Sequence, residues 1–401
     1  MIFSLNRLSR ALSLFESGRL LLRRRLQPRT APTPAPRRIL VLGYNAIGDL
    51  IFFLPVLEGL RGHWPRARIV CLADGKEITE DILRGTGLCD EVWYRDWESP
   101  PPGRREETAR RIKEYGFDLA LMSLATPAHD YQGAIADIPL RAGHCRDLAA
   151  AVGGPLERLK RGIVVGEFAR RAVLNRPVPM GLGEHAVARN LRLLEAVGVP
   201  VSPGKRPALP VTDAHRRKAE ELMGGARPIG VHLGPPVSYN HRHWAPQRYA
   251  ELCAKLSAAG AGPFYLIGGP GEAPGVETAT RAFPGFVSLV GKLSLLETFA
   301  AIERCRLFIA SDTGPAKAAM ALGVPTVTVW GPSDPKEAGI FWEPEKHLDV
   351  RTGIACSPCV TCGMSREGVL NYRTCGHHDC LGRLEAGAVF SAIKEKYGAT
   401  L

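Results

Sequence analysis

The 401-residue chain has no apolar run near the roughly 18–20 residues that a membrane-crossing helix needs. Its longest candidates, Leu119–Leu124 and Thr326–Trp330, are strand-sized, which excludes an integral membrane protein. A continuous secretory core is also missing, because Arg7, Arg10 and Arg19 break the apolar residues near the start. The expected compartment is therefore the reducing cytoplasm, where the ten cysteines stay unbridged. The loop after the first apolar run lacks the GxGxxG spacing of a dinucleotide fold, and no P-loop lysine with its serine or threonine follows. Acidic residues are scarce at the start: residues 1–38 hold nine arginines against Glu16 alone. A nucleic-acid enzyme spreads its basic charge over a folded face, whereas most of the net +12 here sits in an appendage, so no nucleic-acid partner is expected.

That appendage carries Leu5, Leu8, Leu12, Phe15, Leu22 and Leu26 on one side at helical spacing, with Arg7, Arg10 and Arg24 elsewhere. It reads either as a helix lying among anionic headgroups or as an extension that packs on a neighbour or stays disordered. The proline-rich stretch Pro28–Pro36 is a stiff linker. Beyond it, short apolar runs (Ile39–Gly43, Ile69–Ala73, Glu91–Tyr94, Leu119–Leu124) alternate with helical or loop segments, and His185–Val197 reads as an amphipathic helix. Residues 141–176 carry no clear pattern. A second series follows the prolines of Pro200–Pro210: strands at Ile229–Leu233, Phe264–Ile267, Val287–Val290, Leu307–Ala310 and Thr326–Trp330, with helices between them. Alternation of this kind predicts an α/β protein with two doubly wound parallel sheets whose glycine loops open on a cleft. The expected division is a basic tail and linker over 1–36, one domain over 37–205, a second over 206–382 with a cysteine-rich loop at 356–380, and a last helix over 383–401.

Five segments carry chemistry. Ser311–Pro315 ends a buried run and opens a helix, so backbone N–H groups and the positive helix end converge where phosphate can bind, with Lys317 one turn further on. In the first half, Gly48-Asp49 follows the first strand; Asp49 is either a general base or the N-cap of a helix starting at Leu50. Arg242 precedes the helix from Pro246 and reads either as a phosphate-side cation or as part of a basic surface loop with His241 and His243. Glu272, in the loop Gly268–Glu272, either accepts from a ribose diol or is solvated. Cys356, Cys359, Cys362, Cys375 and Cys380 have spacing compatible with a tetrahedral zinc site, although the last two are separated by four intervening residues, not two; reduced cysteines packed in a loop, or fortuitously oxidised ones, are the other readings.

Taken together, Arg38–Leu42, Ala46–Asp49, Leu54–Arg61, Ile229–Gly234, Arg242–Trp244, Leu266–Gly269, Ser311–Gly314, Gly323–Thr326, Gly331–Pro335 and Cys356–Cys359 resemble, in order, the motifs of glycosyltransferase family 9. These are the heptosyltransferases of the lipopolysaccharide inner core. The resemblance implies a GT-B fold of two Rossmann-like domains facing an interdomain cleft, and inverting, metal-independent transfer with no cofactor. It implies a donor such as ADP-heptose or another nucleotide sugar, and a lipid-linked saccharide acceptor reached at the inner leaflet, the basic tail serving as a peripheral anchor. Asp49 falls on the family's base beside the acceptor-side Gly48. Arg242 falls where a lysine meets the diphosphate, Glu272 on a ribose contact, and Asp312, Thr313 and Gly314 on the phosphate loop. Lys317 replaces the family's usual histidine, and Pro315 is unusual beside it. A transferase of another sugar to another glycan or to protein, and a non-catalytic nucleotide-sugar-binding scaffold, are the alternatives.

Overall fold

The computed structural model describes residues 35–43, 46–74, 77–95, 104–123, 132–146, 171–181, 183–202, 204–234, 242–361, 364–365 and 375–398. The leucine-and-arginine segment before the linker and Cys362 lie outside them. Among the described residues no helix is long and apolar enough to cross a membrane.

Two compact units divide the chain. The second holds Ile47–Phe52, Gly183–Ala186 and the described residues from Gly204 onward, and the first holds the rest. In the first unit the elements run β1 (Arg38–Leu42), α1 (Ile47–His63, its opening six residues belonging to the second unit), β2 (Arg68–Asp74), α2 (Glu77–Thr86), β3 (Glu91–Arg95) and α3 (Arg104–Tyr115). They continue through β4 (Leu119–Met122), α4 (Gln132–Ile135), β5 (Leu140–Arg146), β6 (Arg176–Met180) and α5 (Ala186–Ala196). All six strands are parallel, in the order β3-β2-β1-β4-β5-β6. Leu40, Leu42, Val70, Leu72, Ala120 and Met122 pack one face of this sheet against Ile112, Phe117 and Leu174. Buried on both faces, such strands read as unbroken apolar runs without alternation, which is why β1, β2 and β4 are visible in the sequence.

The second unit repeats the plan with α6 (Asp213–Met223), β7 (Ile229–His232), α7 (Pro246–Ala258), β8 (Phe264–Leu266), α8 (Ala273–Ala282), β9 (Phe286–Ser288) and α9 (Leu295–Glu303). It is completed by β10 (Leu307–Ser311), α10 (Gly314–Ala321), β11 (Thr326–Val329), α11 (Pro335–Ala338), β12 (Leu348–Val350), α12 (Asp379–Gly382) and α13 (Ala386–Tyr397). Its sheet is also parallel throughout, in the order β12-β11-β10-β7-β8-β9. Ile229, Val231, Leu266, Ile309, Val327 and Val329 pack against α7, with Val389 and Ile393 of α13 in the same core. Strand order reverses between β7 and β10, where Ala310 lies opposite His232. Two successive connections leave in opposite directions at such a point, so a crevice opens beyond the strand ends and ligands bind there.

Helix starts differ in how they are capped. Ser294 caps α9 by accepting from Glu297 N, while Glu297 reaches back to Ser294 N at 2.8 Å, and Thr212 caps α6 in the same reciprocal manner with His215. By contrast Ala46 before α1 and Thr313 before α10 give no side-chain cap. The N-cap side chains of those two helices thus take up none of their first-turn N–H groups.

Candidate active site

The sequence places the start of the first long helix near Leu50, but α1 begins at Ile47 with Ala46 as its N-cap. Asp49 is therefore not the N-cap. It is the third helical residue, exposed, in a first turn whose dipole favours a carboxylate. Gly48, one residue earlier, lies against α10. A Cβ on Gly48 would fall 3.3 Å from Lys317 Cγ and 3.7 Å from Gly314 Cα, and a Cβ on Gly314 would fall 3.0 Å from Ile47 Cβ. Two helix N-termini thus meet through a glycine on each side, all within the second unit.

Asp312 organises the charge beside them. Its carboxylate is 7% exposed, with Oδ1 2.9 Å from Lys317 Nζ and Oδ2 3.3 Å from Arg242 Nη1. Burial alone would raise the carboxyl's pKa, but Lys317 and then Arg242 outweigh it and hold the group below its ordinary range. Lys317 is itself 3% exposed, its ammonium 4.5 Å from the centre of the Trp330 ring and 5.8 Å from that of Phe52. One carboxylate between two cations leaves one net positive charge. The two helix ends add roughly half a positive charge each, set against the Asp49 carboxylate in the first turn of α1 and against Asp349, which interacts with both Lys317 and Asp312. Two fixed cations beside converging backbone N–H groups suit an anionic phosphate ligand.

Around this centre the loop after β10 is fixed by buried hydroxyls. Ser311 Oγ lies 2.7 Å from the Tyr249 hydroxyl and accepts from Trp244 N at 3.4 Å, while Thr313 Oγ1 donates to the Ser311 carbonyl at 3.2 Å. Pro315 occupies the first turn of α10, where a missing N–H breaks no helical hydrogen bond.

Glu272 is not a solvated loop residue: it is 8% exposed. Its Oε1 accepts from Gly269 N at 3.3 Å, and its Oε2 lies 3.2 Å from Nδ1 of His232, the last residue of β7. Burial disfavours a charged imidazole, yet the Glu272 carboxylate and the Ile267 carbonyl, 3.0 Å from Nδ1, raise the pKa of His232 above its ordinary value. His243, half-buried nearby, is driven down to about 4 by burial first and then by the charge on His232.

A family model described as glycosyltransferase family 9 (heptosyltransferase) matches residues 157–369, more than half of the chain. The chain belongs to glycosyltransferase family 9. It is 25% identical over 343 residues to lipopolysaccharide heptosyltransferase 1 of Pseudomonas aeruginosa, covering 80% of this chain and 86% of that protein. Its fold is similar to a family 9 glycosyltransferase from Veillonella parvula (TM-score 0.66, 20% identity, 90% of this chain and 97% of that one). It is also similar to an E. coli heptosyltransferase solved with ADP (TM-score 0.60, 18% identity, 90% and 99%). The architecture is that of the GT-B glycosyltransferases, two parallel sheets with flanking helices.

In this glycosyltransferase Cys356, Cys359, Cys375 and Cys380 are free thiols. The thiols of Cys359 and Cys380 are pushed up by burial and then by neighbouring cysteines, that of Cys380 to about 11. Among the described residues no group of three or more His, Cys, Asp or Glu is placed to hold a metal ion. Sequence reasoning missed His232 as the partner of Glu272, and Trp330 and Phe52 as the walls around Lys317. The only signal for the first was a histidine at the end of a strand whose neighbours are all apolar.

Proposed function

We propose that this glycosyltransferase moves a heptosyl group from ADP-heptose to a hydroxyl of a lipopolysaccharide-core acceptor, with inversion and with no metal or other cofactor. The observation that carries the reading is the meeting of two uncapped helix N-termini at Gly48 and Gly314 beside Lys317 and Arg242. The name of the Pseudomonas aeruginosa relative supplies the sugar and the acceptor class, and the ADP held by the E. coli heptosyltransferase supplies the nucleotide.

In this reading the acceptor oxygen attacks C1 of the donor as its proton passes to Asp49, and the bond from C1 to the diphosphate oxygen breaks. The electron pair leaves with ADP. Negative charge grows on the departing diphosphate, so donors aimed there stabilise the transition state more than the bound substrate. Arg242, Lys317 and the amides of Gly314 and Ala316 are those donors. Thr313 and Asp312 shape the phosphate loop, Asp312 by holding both cations. Glu272 receives the ribose. Fixed cations and helix ends take the part that a divalent ion plays in other sugar transferases. The acceptor is lipid-linked, and the basic tail holds the enzyme at the anionic inner leaflet.

The test is incubation of the purified protein with ADP-heptose and a lipopolysaccharide-core acceptor, with the product's anomeric configuration read by NMR before and after exhaustive chelation. Inverted product at an unchanged rate is expected. Retention of configuration, loss of turnover on chelation, or no transfer from ADP-heptose while another nucleotide sugar is consumed would each overturn the corresponding part of the proposal.

A further inference from the structure

Glu272 holds its carboxylate in an unusual way. Its inner oxygen, Oε2, is shielded from solvent and finds no hydrogen-bond donor among the described residues, although His232 Nδ1 is 3.2 Å away. The imidazole N–H is directed at the Ile267 carbonyl instead. Oε2 thus faces the imidazole through proximity and charge and not through a hydrogen bond, while Oε1, whose partner among the described residues is Gly269 N through a long bond, keeps the group's spare accepting capacity. The backbone is cut away to permit this: a Cβ on Gly268 would fall 1.6 Å from Oε2. His232 ends β7 at the switch point, and Glu272 lies just beyond the end of the adjacent β8. The pair spans two neighbouring strand ends beside the phosphate loop.

We infer that His232 is a positioning residue for donor recognition: its side chain clamps the inner oxygen of Glu272 so that the outer oxygen faces the ribose diol of the nucleotide. The inference rests on the proposed reading of Glu272 as the ribose contact and adds the group that orients it. His232 does not touch the donor. Without the clamp the long bond from Gly269 N is a weaker hold on the carboxylate's rotamer, and an acceptor that wanders gives little discrimination between a diol and its deoxygenated analogue.

The experiment compares ADP, 2′,3′-dideoxy-ADP and inorganic pyrophosphate by calorimetry on the full chain. Wild type is expected to bind ADP on the order of tenfold more tightly than the dideoxy analogue, as a charge-assisted hydrogen bond allows. His232→Leu, which keeps apolar packing but has no donor or charge, is expected to lose that preference while binding pyrophosphate as wild type does. His232→Asn, whose amide keeps a donor but carries no charge, is expected to stay without it. A purely structural role would be served by leucine, so an undiminished preference in His232→Leu, or full recovery in His232→Asn, overturns the clamp. Should His232→Leu fail to fold, Gly268→Ala displaces Oε2 from the other side, and a wild-type preference in that variant overturns it equally. If wild type itself binds ADP and the dideoxy analogue alike, the ribose role of Glu272 falls, and the clamp with it.

Discussion

Lys317→Met deletes one charge and little volume, and the structure sets what that costs. Asp312 would stay 7% exposed with Arg242 as its remaining partner at 3.3 Å. Removing one member of a buried pair costs about 3–5 kcal/mol when nothing replaces it. Because Arg242 remains, the lower end applies, about 3 kcal/mol, and the lost contact with the Trp330 face adds about 0.5 kcal/mol. At about 2–4 °C per kcal/mol for a unit of this size, the melting point of the second unit should fall by roughly 7–14 °C. ADP binding should weaken separately, since a charge-assisted bond to the diphosphate contributes about 1.5–3 kcal/mol, or roughly ten- to a hundredfold in Kd. Scanning fluorimetry reads the first effect and calorimetry with ADP the second. Adding Asp312→Asn to the same chain should separate them: most of the stability returns, because no buried carboxylate is left short of a cation and Arg242 is 31% exposed to solvent, but ADP affinity does not. A Lys317→Met protein that melts and binds ADP like wild type would refute both the neutralisation of Asp312 and the phosphate role.

Asp49→Asn is expected to lower kcat by about 10²–10⁴, the range of a general base, with ADP affinity nearly unchanged; a lost affinity with turnover kept would contradict the assignment. Gly314→Ala puts a Cβ 3.0 Å from Ile47 Cβ, so the two helix ends must separate, and calorimetry should show weaker binding of both ADP and pyrophosphate. The pH response follows from the depressed pKa of Asp312. Its stabilising contribution is present above the ordinary value of 3.8 and is lost as the pH falls through its lower folded value. The melting-point gap between wild type and Asp312→Asn should accordingly be widest near neutrality and close in acid; a gap that widens in acid would reverse the sign. Deleting residues 1–36 should weaken sedimentation with anionic vesicles and spare turnover on a soluble acceptor, and equal vesicle binding would remove the anchor.

What the sequence reveals depends on whether a residue's partner is close in the chain. Strands such as Leu119–Met122 and Thr326–Val329 are legible because both faces are buried and they hold only apolar or β-branched residues. Leu140–Arg146 is not, because Arg141 and His144 break the run. In the fold both are buried and satisfied at a distance, Arg141 Nε by the Val173 carbonyl at 2.6 Å and His144 Nε2 by Asn190 Oδ1 at 3.2 Å. The edge strand Leu348–Val350 is three half-buried residues, too few for any period. Helix Asp213–Met223 buries only Ala219 and Met223 and is otherwise charged, so its apolar stripe is thin. The same rule governs the site. Arg242, Asp312 and Lys317 are legible as polar residues at strand and helix ends, but Glu272 looks like a solvated glutamate because His232, which holds it, stands forty positions earlier.

The two departures from the usual family motif, Pro315 and Lys317, are best understood together. Proline in the first turn of α10 leaves one fewer N–H for an anion, since Pro315 cannot donate and the first-turn donors reduce to those of Gly314 and Ala316. A neutral histidine one turn later would add a single directional hydrogen bond and leave the helix end short of charge. Lysine adds a full charge on a stem long enough to lie along Gly48 and reach Asp312, and Asp312 keeps it fixed while Trp330 covers it. The loss of one donor is thus offset by a full charge. A double variant, Pro315→Ala with Lys317→His, should on this reasoning bind ADP better than Lys317→His alone, because the restored amide donates where the ammonium is missing. Equal affinities of the two variants for ADP would show that the exchanges are independent.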